Sequence, residues 1–579
     1  MCGIFGHIAA SSHGELNASD LEVLAHRGPD ALNVHKAVAL AGDTKWYLTF
    51  ASSVLSLRGD QVQAQPMIDD QTQSVLCWNG EAWSIDDSKV SGNDTIVVSK
   101  HLFNAIREED CVEDQIARAL DSIAGPYAFL LYDAKSSKIY FGRDPLGRRS
   151  LLICADEARN NELTVCSGHT NDEGARAREV ETLGIHVVDL SQPILKIRVL
   201  TPRTSLPSIN RFLPTTNTIL QDMPSLNAVD NVILRLRMAL RLRIEAIPTY
   251  TTYGSNETAS RVAVLFSGGL DCTLLARLAD DILPANEPID LLNVAFENPR
   301  VVNARTTERL KISTVLDTDK DADIFESCPD RKTGRASFAE LLRVCSTRTW
   351  RFVAVNVPFT DFIKHRPTIV QLMKPHNTEM DLSITSALYF AARGQGSMTV
   401  SSEVAQRTED YTTTARVLIS GLGADELFGG YARHAAAFAR NSYEALNTEL
   451  ELDFNRIGTR NLGRDDRVIA HWGRETRYPF LDENFVKFVL HLPAWEKCGF
   501  RSGKDIPKHF EPTAIVETMS DLHPEKMLLR CAMWKLGMKG AAAEKKRAIQ
   551  FGARTAKMCG GKTKGTDIVT AVDVIACGS

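Results

Sequence analysis

The sequence predicts two domains of different architecture: an α+β layered sandwich first, followed by an α/β doubly wound domain. Three observations carry this expectation. The first part is dominated by short β-type segments interrupted by Gly and Asn. The later part alternates apolar strands with helical periods, the pattern of strand–helix–strand units. Between them the chain turns irregular, with Ser-Gln-Pro, Thr-Pro-Arg and Leu-Pro-Thr-Thr-Asn-Thr breaking any period. At 579 residues, and with roughly 100–200 residues per domain, each part is long enough to bury its own core.

In chain order, the β-type segments are MCGIFGHIA, KAVALAGD, WYLTFASSVLSL, SVLCWNG, GPYAFLLYD and KIYFGRD, with a helix expected over Ile96–Ile106. The stretch from Asn161 to about Pro224 carries no clear period. These features give a first domain over 1–202, a linker over 203–226, a second domain over 227–559 and a tail over 560–579. Val229–Ile247 has apolar residues at helical spacing, and a polar loop follows over Thr249–Ser260. The strand RVAVLF then runs into SGGLDCTLLARLAD, a turn that opens a helix. LLNVAFE, RFVAVNV and ARVLISG supply further strands between helical stretches, and no internal repeat is present.

Composition narrows the function classes. A hydrophobic share of 44%, a charged share of 24%, 36 Gly and 22 Pro exclude coiled coil, collagen and wholesale disorder. Lys+Arg 67 against Asp+Glu 72 gives a net charge of −5, so bulk charge predicts no nucleic-acid partner. The 12 cysteines form no CxxC pair and are expected to be mostly buried thiols in a reducing compartment. MCGIFGHIAASSHGE lacks the basic and apolar regions of a signal or transit peptide. No run approaches the ~20 apolar residues of a membrane span. A cytoplasmic protein is expected, with the nucleus left open and no membrane partner.

Cys2 opens the first chemical constellation. A small residue after the initiator Met normally leads to Met removal, which would leave a thiol beside its own α-amine. An amine of pKa ~7.7–8.0 can serve as local base for a thiol of pKa ~8.5. Alone, Cys2 could be an accident of the start site. It is followed, however, by His26-Arg27-Gly28-Pro29-Asp30, Asn79-Gly80-Glu81, Gly92-Asn93-Asp94 and Gly142-Arg143-Asp144-Pro145-Leu146-Gly147. In this order the motifs resemble a class II, N-terminal nucleophile glutamine amidotransferase domain. The resemblance implies that the Cys2 thiolate attacks the glutamine amide, that Asn79 and Gly80 hold the oxyanion, and that Glu81 and Asp94 help bind glutamine, Asp94 at its α-amine. The family's R-L-S motif reads Val54-Leu55-Ser56 here, so Arg58 is the local candidate for the glutamine carboxylate. The plainer alternatives are a solvated loop charge for Arg58, a β-turn for Asn79-Gly80 and a helix N-cap for Asp94.

The second constellation is Ser267-Gly268-Gly269-Leu270-Asp271-Cys272 between strand and helix. Small residues there let backbone amides approach phosphate oxygens. The GxxxxGK[ST] loop is absent, and SGGxD after a buried strand resembles the loop of ATP pyrophosphatases. Ser420-Gly421-Leu422-Gly423-Ala424-Asp425-Glu426-Leu427-Phe428-Gly429-Gly430-Tyr431, Trp472 to Asp482 (WGRETRYPFLD) and Pro524 to Arg530 (PEKMLLR) follow in order. Together they resemble the asparagine synthetase family. The resemblance implies ATP bound by Leu265, Ser267, Gly268, Gly269, Asp271, Cys272, Val294, Ser420, Gly421 and Asp425, and Mg²⁺ held by Asp271 and Asp425. It also implies that Lys526 contacts the phosphates and stabilises departing pyrophosphate. The plainer readings are a first-turn carboxylate for Asp271 and a solvent-facing helix charge for Lys526, while Trp472 and Phe480 read as core.

Three positions depart from the family pattern. Leu422 stands where a glutamate is usual, Thr378-Glu379-Met380-Asp381 replaces E-x-x-D, and Cys272-Thr273 replaces Ser-Ser. With CPDRKTGRASFAELL (328–342) and KKRAIQFGARTAKM (545–558), these resemble the eukaryotic asparagine synthetase domain-containing branch. The resemblance implies a glutamine-hydrolysing asparagine synthetase: glutaminase chemistry frees ammonia, ATP adenylylates aspartate, and ammonia displaces AMP. The family shields the ammonia in transit, because its protonated form is no nucleophile. Amidation of another carboxylate, or a family member with a regulatory or interaction role, are the alternatives. Glutamine, aspartate and ATP are the expected small-molecule partners, and the oligomeric state is left open, a homodimer included.

Overall fold

The computed structural model describes residues 2–42, 44–108, 111–155, 161–169, 177–200, 207–215, 223–248, 258–304, 323–401, 406–501, 518–558 and 564–569. Met1, positions 203–206 and 216–222 of the expected linker, most of the loop over Thr249–Ser260, and 560–563 and 570–579 of the expected tail lie outside the described residues. The chain forms two compact units. The first comprises Met1–Leu206 with Thr368–Asn377 and Arg456–Glu475; the second comprises Pro207–Pro367, Thr378–Asn455 and Thr476–Ser579.

The first unit is built on two six-stranded sheets. One runs, in spatial order, Arg178–Glu179, Leu152–Ala155, Glu162–Cys166, Gly3–Ala9, Thr44–Val54, Ala31–Ala41. The other runs Ile197–Leu200, Ile185–Asp189, Lys138–Arg143, Tyr127–Asp133, Val75–Gly80, Met67–Ile68. Strand side chains alternate between faces, and the sequence uses both. Val75 and Cys77 join Ile4, Ile8, Leu48, Phe50, Leu130 and Phe141 in the core between the sheets. Leu76 and Trp78 point the other way, against Val98, Leu102 and Ile106 of the helix Asp94–Arg107 and Ile116 and Leu120 of the helix Val112–Asp121. On the far side, Leu24 of the helix Ala18–Arg27 packs on Phe5, Ala51 and Leu152. The result is a helix–sheet–sheet–helix sandwich, as the composition of the segments predicts.

Among its described residues, the stretch from Asn161 to Pro224, expected to be irregular, carries four strands: Glu162–Cys166, Arg178–Glu179, Ile185–Asp189 and Ile197–Leu200. They are two to five residues long and alternate too briefly to show a period against the surrounding turns. Among the described cysteines, Cys77, Cys166, Cys272, Cys328, Cys345, Cys498 and Cys531 are buried, whereas Cys111 is exposed.

The second unit holds a seven-stranded sheet ordered Gln406–Thr412, Gln395–Ser401, Trp350–Val357, Ile289–Phe296, Val262–Leu265, Val417–Ile419, Glu475–Arg477. The pairings from Trp350–Val357 to Val417–Ile419 are parallel, and these strands are buried on both faces, which explains their continuous apolar runs. The first two strands form an antiparallel hairpin on the edge; their polar composition hid them in the sequence. Leu226–Ile244, Leu270–Asp280, Pro329–Val344 and Glu379–Arg393 are the principal helices. Ligand sites in such sheets lie beyond the carboxyl ends of the strands. Among the described residues, no helix is long and apolar enough to cross a membrane.

Candidate active sites

Cys2 leads into strand Gly3–Ala9 of the first unit. The Gly3 N–H donates to Ser53 Oγ and the Ile4 N–H to Ser167 Oγ, both at 3.0 Å. A Cβ on Gly3 would press to 2.6 Å from Leu24 Cδ2 and Ser53 Oγ, so a side chain there would displace the Ser53 hydroxyl that holds the strand. Arg27 Nε donates to the Cys2 carbonyl at 3.3 Å, and its guanidinium donates to Asp466 at 2.7 Å. Asp30 holds the next loop by accepting the Ser56 N–H at 2.8 Å. The His26–Asp30 motif therefore fixes the backbone on both sides of the thiol. Burial pushes the Cys2 thiol up; the positive amino terminus and the Leu55 backbone oppose this, and Glu475 and Asp94 add to it.

Asn79 and Gly80 are strand, paired with Ala128 and Tyr127, which corrects the β-turn reading. Asn79 is 0% exposed, and neither its Oδ1 nor its Nδ2 has a hydrogen-bond partner. Leaving a buried amide unsatisfied costs about 1–3 kcal/mol per group, so this side chain is poised for a group the protein itself does not supply. A Cβ on Gly80 would come to 2.7 Å from Pro126 O, so the strand can close here only with glycine.

Arg58 is buried, which corrects the reading of a solvated loop charge. Its two terminal nitrogens donate to Ala82 O and Val90 O at 2.6 Å each, and its Nε lies 3.8 Å from Glu81 Oε2. Asp94 Oδ2 accepts the Ala82 N–H at 2.9 Å. The cap of the helix Asp94–Arg107 is Asn93, whose Oδ1 accepts from Ile96 N, so the capping role assigned to Asp94 belongs one residue earlier. Burial raises the Asp94 carboxyl and Arg58 opposes the rise. Arg58, Glu81 and Asp94 thus converge on one backbone segment, Glu81-Ala82. Asp144 serves the fold instead, accepting from the backbone of Tyr127, Leu146 and Arg148 and from the Arg148 side chain.

The second site belongs to the second unit. Ser267, Gly268 and Gly269 join strand Val262–Leu265 to the helix Leu270–Asp280, with Gly269 at its N-cap. Gly268 has φ +80°, and a Cβ there would overlap the Gly334 backbone. Ser337 Oγ donates to Gly268 O at 2.7 Å, so the helix Pro329–Val344 braces the loop. Burial raises the Cys272 thiol. Leu265 and Val294 lie half-buried near the ends of their parallel strands.

Asp271 occupies the first helical turn, as its plainer reading states, and also meets two distant segments. Lys526 Nζ lies 2.6 Å from Asp271 Oδ2 and 2.6 Å from Asp425 Oδ1. Lys546 pairs with the other Asp425 oxygen. Burial opposes ionisation of Asp425, but the two lysines outweigh it and hold its carboxyl well below the usual range. Burial would lower the Lys526 ammonium; the two carboxylates instead raise it. Lys526 is buried and sits at the N-cap of the helix Met527–Lys535 with φ +55°, which corrects the reading of a solvent-facing helix charge. A Cβ on Gly430 would collide with Asp425 Oδ1 and Lys526 Cε, and one on Gly421 would come to 2.8 Å from Asp271 Cβ. The glycines of the Ser420–Tyr431 motif are therefore what lets the three segments close together.

A glutamine amidotransferase domain model matches residues 1–223 and an asparagine synthase model matches residues 438–533. Asparagine synthetase domain-containing protein 1 of Homo sapiens is 31% identical, over 96% of this chain and 95% of its own length. The chain belongs to the asparagine synthetase domain-containing family. Asparagine synthetase domain-containing protein YML096W of Saccharomyces cerevisiae is 34% identical over 98% of this chain and 94% of its own length. Asparagine synthetase (glutamine-hydrolyzing) 1 of the same yeast is more distant, at 22% identity over 86% and 77%.

The features that set this family member apart have structural roles. Thr378 caps the helix Glu379–Arg393 in a reciprocal box with Asp381, so T-x-x-D is a helix start. Leu422 is half-buried, and its N–H donates to Ser420 Oγ at 3.3 Å. The segments 328–342 and 545–558 meet: Arg547 donates to Thr333 at 2.7 Å and Cys328 Sγ to Gly552 O at 2.9 Å. Lys546 arrives at Asp425 on the second of these, a site residue the motifs did not assign; the basic run KKR was its only signal. Phe480 is core, whereas Trp472 is half-buried.

Asp271 Oδ1 is buried without a partner, which fits a hard cation beside it. Among the described residues no three His, Cys, Asp or Glu side chains are grouped to hold a metal, so a bound Mg²⁺ would need phosphate oxygens to complete its shell.

Proposed function

We propose that this family member is a glutamine-hydrolysing asparagine synthetase. The observation that carries the reading is the buried Lys526 ammonium, 2.6 Å from both Asp271 and Asp425 beside a glycine loop at the end of a parallel strand. A buried ammonium of this kind suits a pyrophosphate leaving group.

The Cys2 thiolate would attack the glutamine carboxamide carbon, and the oxyanion would rest on the Asn79 amide and the Gly80 N–H. Ammonia leaves as the thioester forms, and water then releases glutamate. Arg58, Glu81 and Asp94 would orient the amino acid, Asp94 at the α-amine. In the second unit, Ser267 to Gly269, Ser420 and Gly421 would cradle ATP against Leu265, Cys272 and Val294. The aspartate carboxylate would attack the α-phosphorus, pyrophosphate would depart towards Lys526 and Lys546, and ammonia would displace AMP to give asparagine. Mg²⁺, bound with the phosphates by Asp271 and Asp425, would neutralise charge on the triphosphate.

The deciding experiment incubates the protein with ATP, Mg²⁺, aspartate and ammonium chloride and measures pyrophosphate and asparagine. Both products are expected in equal amounts. Folded protein that releases no pyrophosphate with aspartate refutes aspartate as the acceptor.

A further inference from the structure

Gln65 lies outside every motif singled out in the sequence. Its side chain is 1% exposed and both of its ends are engaged. Oε1 accepts the Trp78 backbone N–H at 2.8 Å, on the residue directly before Asn79 in strand Val75–Gly80. The Gln65 carbonyl accepts from Asn33 Nδ2 at 3.1 Å, which fixes its backbone as well. With Oε1 held, the amide plane has one orientation, and Nε2 lies 3.9 Å from Cys2 Sγ.

We propose that Gln65 is a positioning residue for the Cys2 nucleophile, giving its sulfur an oriented N–H donor and tying it to the strand that carries Asn79 and Gly80. The proposal rests on Cys2 being the glutaminase nucleophile. A brace for Trp78 accounts for Oε1 alone; it gives no reason for the amide nitrogen to face sulfur. An N–H donor interacts more strongly with a thiolate than with a thiol. At Cys2 such a donor counters burial and the carboxylates of Glu475 and Asp94, all of which disfavour the anion. The same link sets the distance between nucleophile and oxyanion donors, where small errors are costly in rate.

The test compares wild type, Gln65→Met and Gln65→Glu as full chains. Gln65→Met keeps the length and removes the donor. Gln65→Glu keeps an acceptor for Trp78 and places an oxygen where the N–H was. Cys2 alkylation by iodoacetamide is followed by peptide mass spectrometry from about pH 6 to about pH 10. Both variants should shift the alkylation profile to higher pH, lowering the neutral-pH rate roughly 3–10-fold, as a shift of about half to one pKa unit requires. Glutaminase kcat should fall with little change in KM. Profiles that overlay the wild type overturn the proposal; should Gln65→Met not fold, Gln65→Leu, which also lacks the donor and adds no charge beside the sulfur, decides in its place. A shifted profile in a protein that hydrolyses no glutamine sustains the positioning role and refutes the glutaminase reading.

Discussion

If Asn79 holds the oxyanion as proposed, stability and activity separate within its one side chain. Its amide is fully buried and unpartnered, so Asn79→Ala removes a group whose desolvation is uncompensated. The variant should unfold no lower than wild type in a thermal melt. Its glutaminase kcat should fall about 10²–10³-fold, the usual cost of one oxyanion donor. Asp330 offers a pH test. Burial raises its carboxyl to about 7, with Arg547 and Lys546 opposing and Glu544 assisting. A carboxyl of ordinary pKa in the unfolded chain and about 7 in the folded one favours the folded state below about pH 4. That contribution is lost as pH rises through the folded value. The melting temperature of Asp330→Asn should therefore gain on wild type between about pH 5 and about pH 8; parallel curves would exclude a raised Asp330. At this scale the sequence named Cys2, Asn79, Asp271 and Lys526, because each belongs to a motif. It did not reveal Gln65 or Lys546, whose roles depend on which distant segment each one faces.

Helix starts and glycine contacts govern the elements. Asn93 caps the helix that carries Asp94 in its first turn, so Asn93→Ala should cost about 1 kcal/mol of stability. Because the cap sets where Asp94 lies, KM for glutamine should rise more than kcat falls, and steady-state kinetics beside a denaturant melt would show it. Gly430→Ala should remove synthesis while sparing glutamine hydrolysis, because a methyl group there overlaps Asp425 and Lys526. Equal loss of both activities would place that glycine in general stability. The long apolar strands and the helix near residue 96 were legible because their periods run over whole elements. The strands between 161 and 200 and the hairpin Gln395–Thr412 were not, since short or polar edge strands are held by pairing with neighbours rather than by their own pattern.

Across the whole molecule, the proposal divides labour between the two units. Cys2→Ala should abolish glutamine-driven product and leave ammonia-driven synthesis intact; Asp271→Asn should remove product from either nitrogen source while glutamine hydrolysis continues. Amino-acid analysis of both reactions checks this, and a Cys2→Ala enzyme inactive with ammonia would refute the division. The sequence by itself determined the two architectures and the order of the motifs, since apolar periodicity and local turn chemistry are written within a few residues of one another. Only the tertiary structure decided that Arg456–Glu475 belongs to the first unit, where Asp466 meets Arg27. It also decided that Lys526 and Lys546 both close on Asp425. These are contacts between residues far apart in the chain, fixed by the packing of sheets and helices, and no local pattern encodes them.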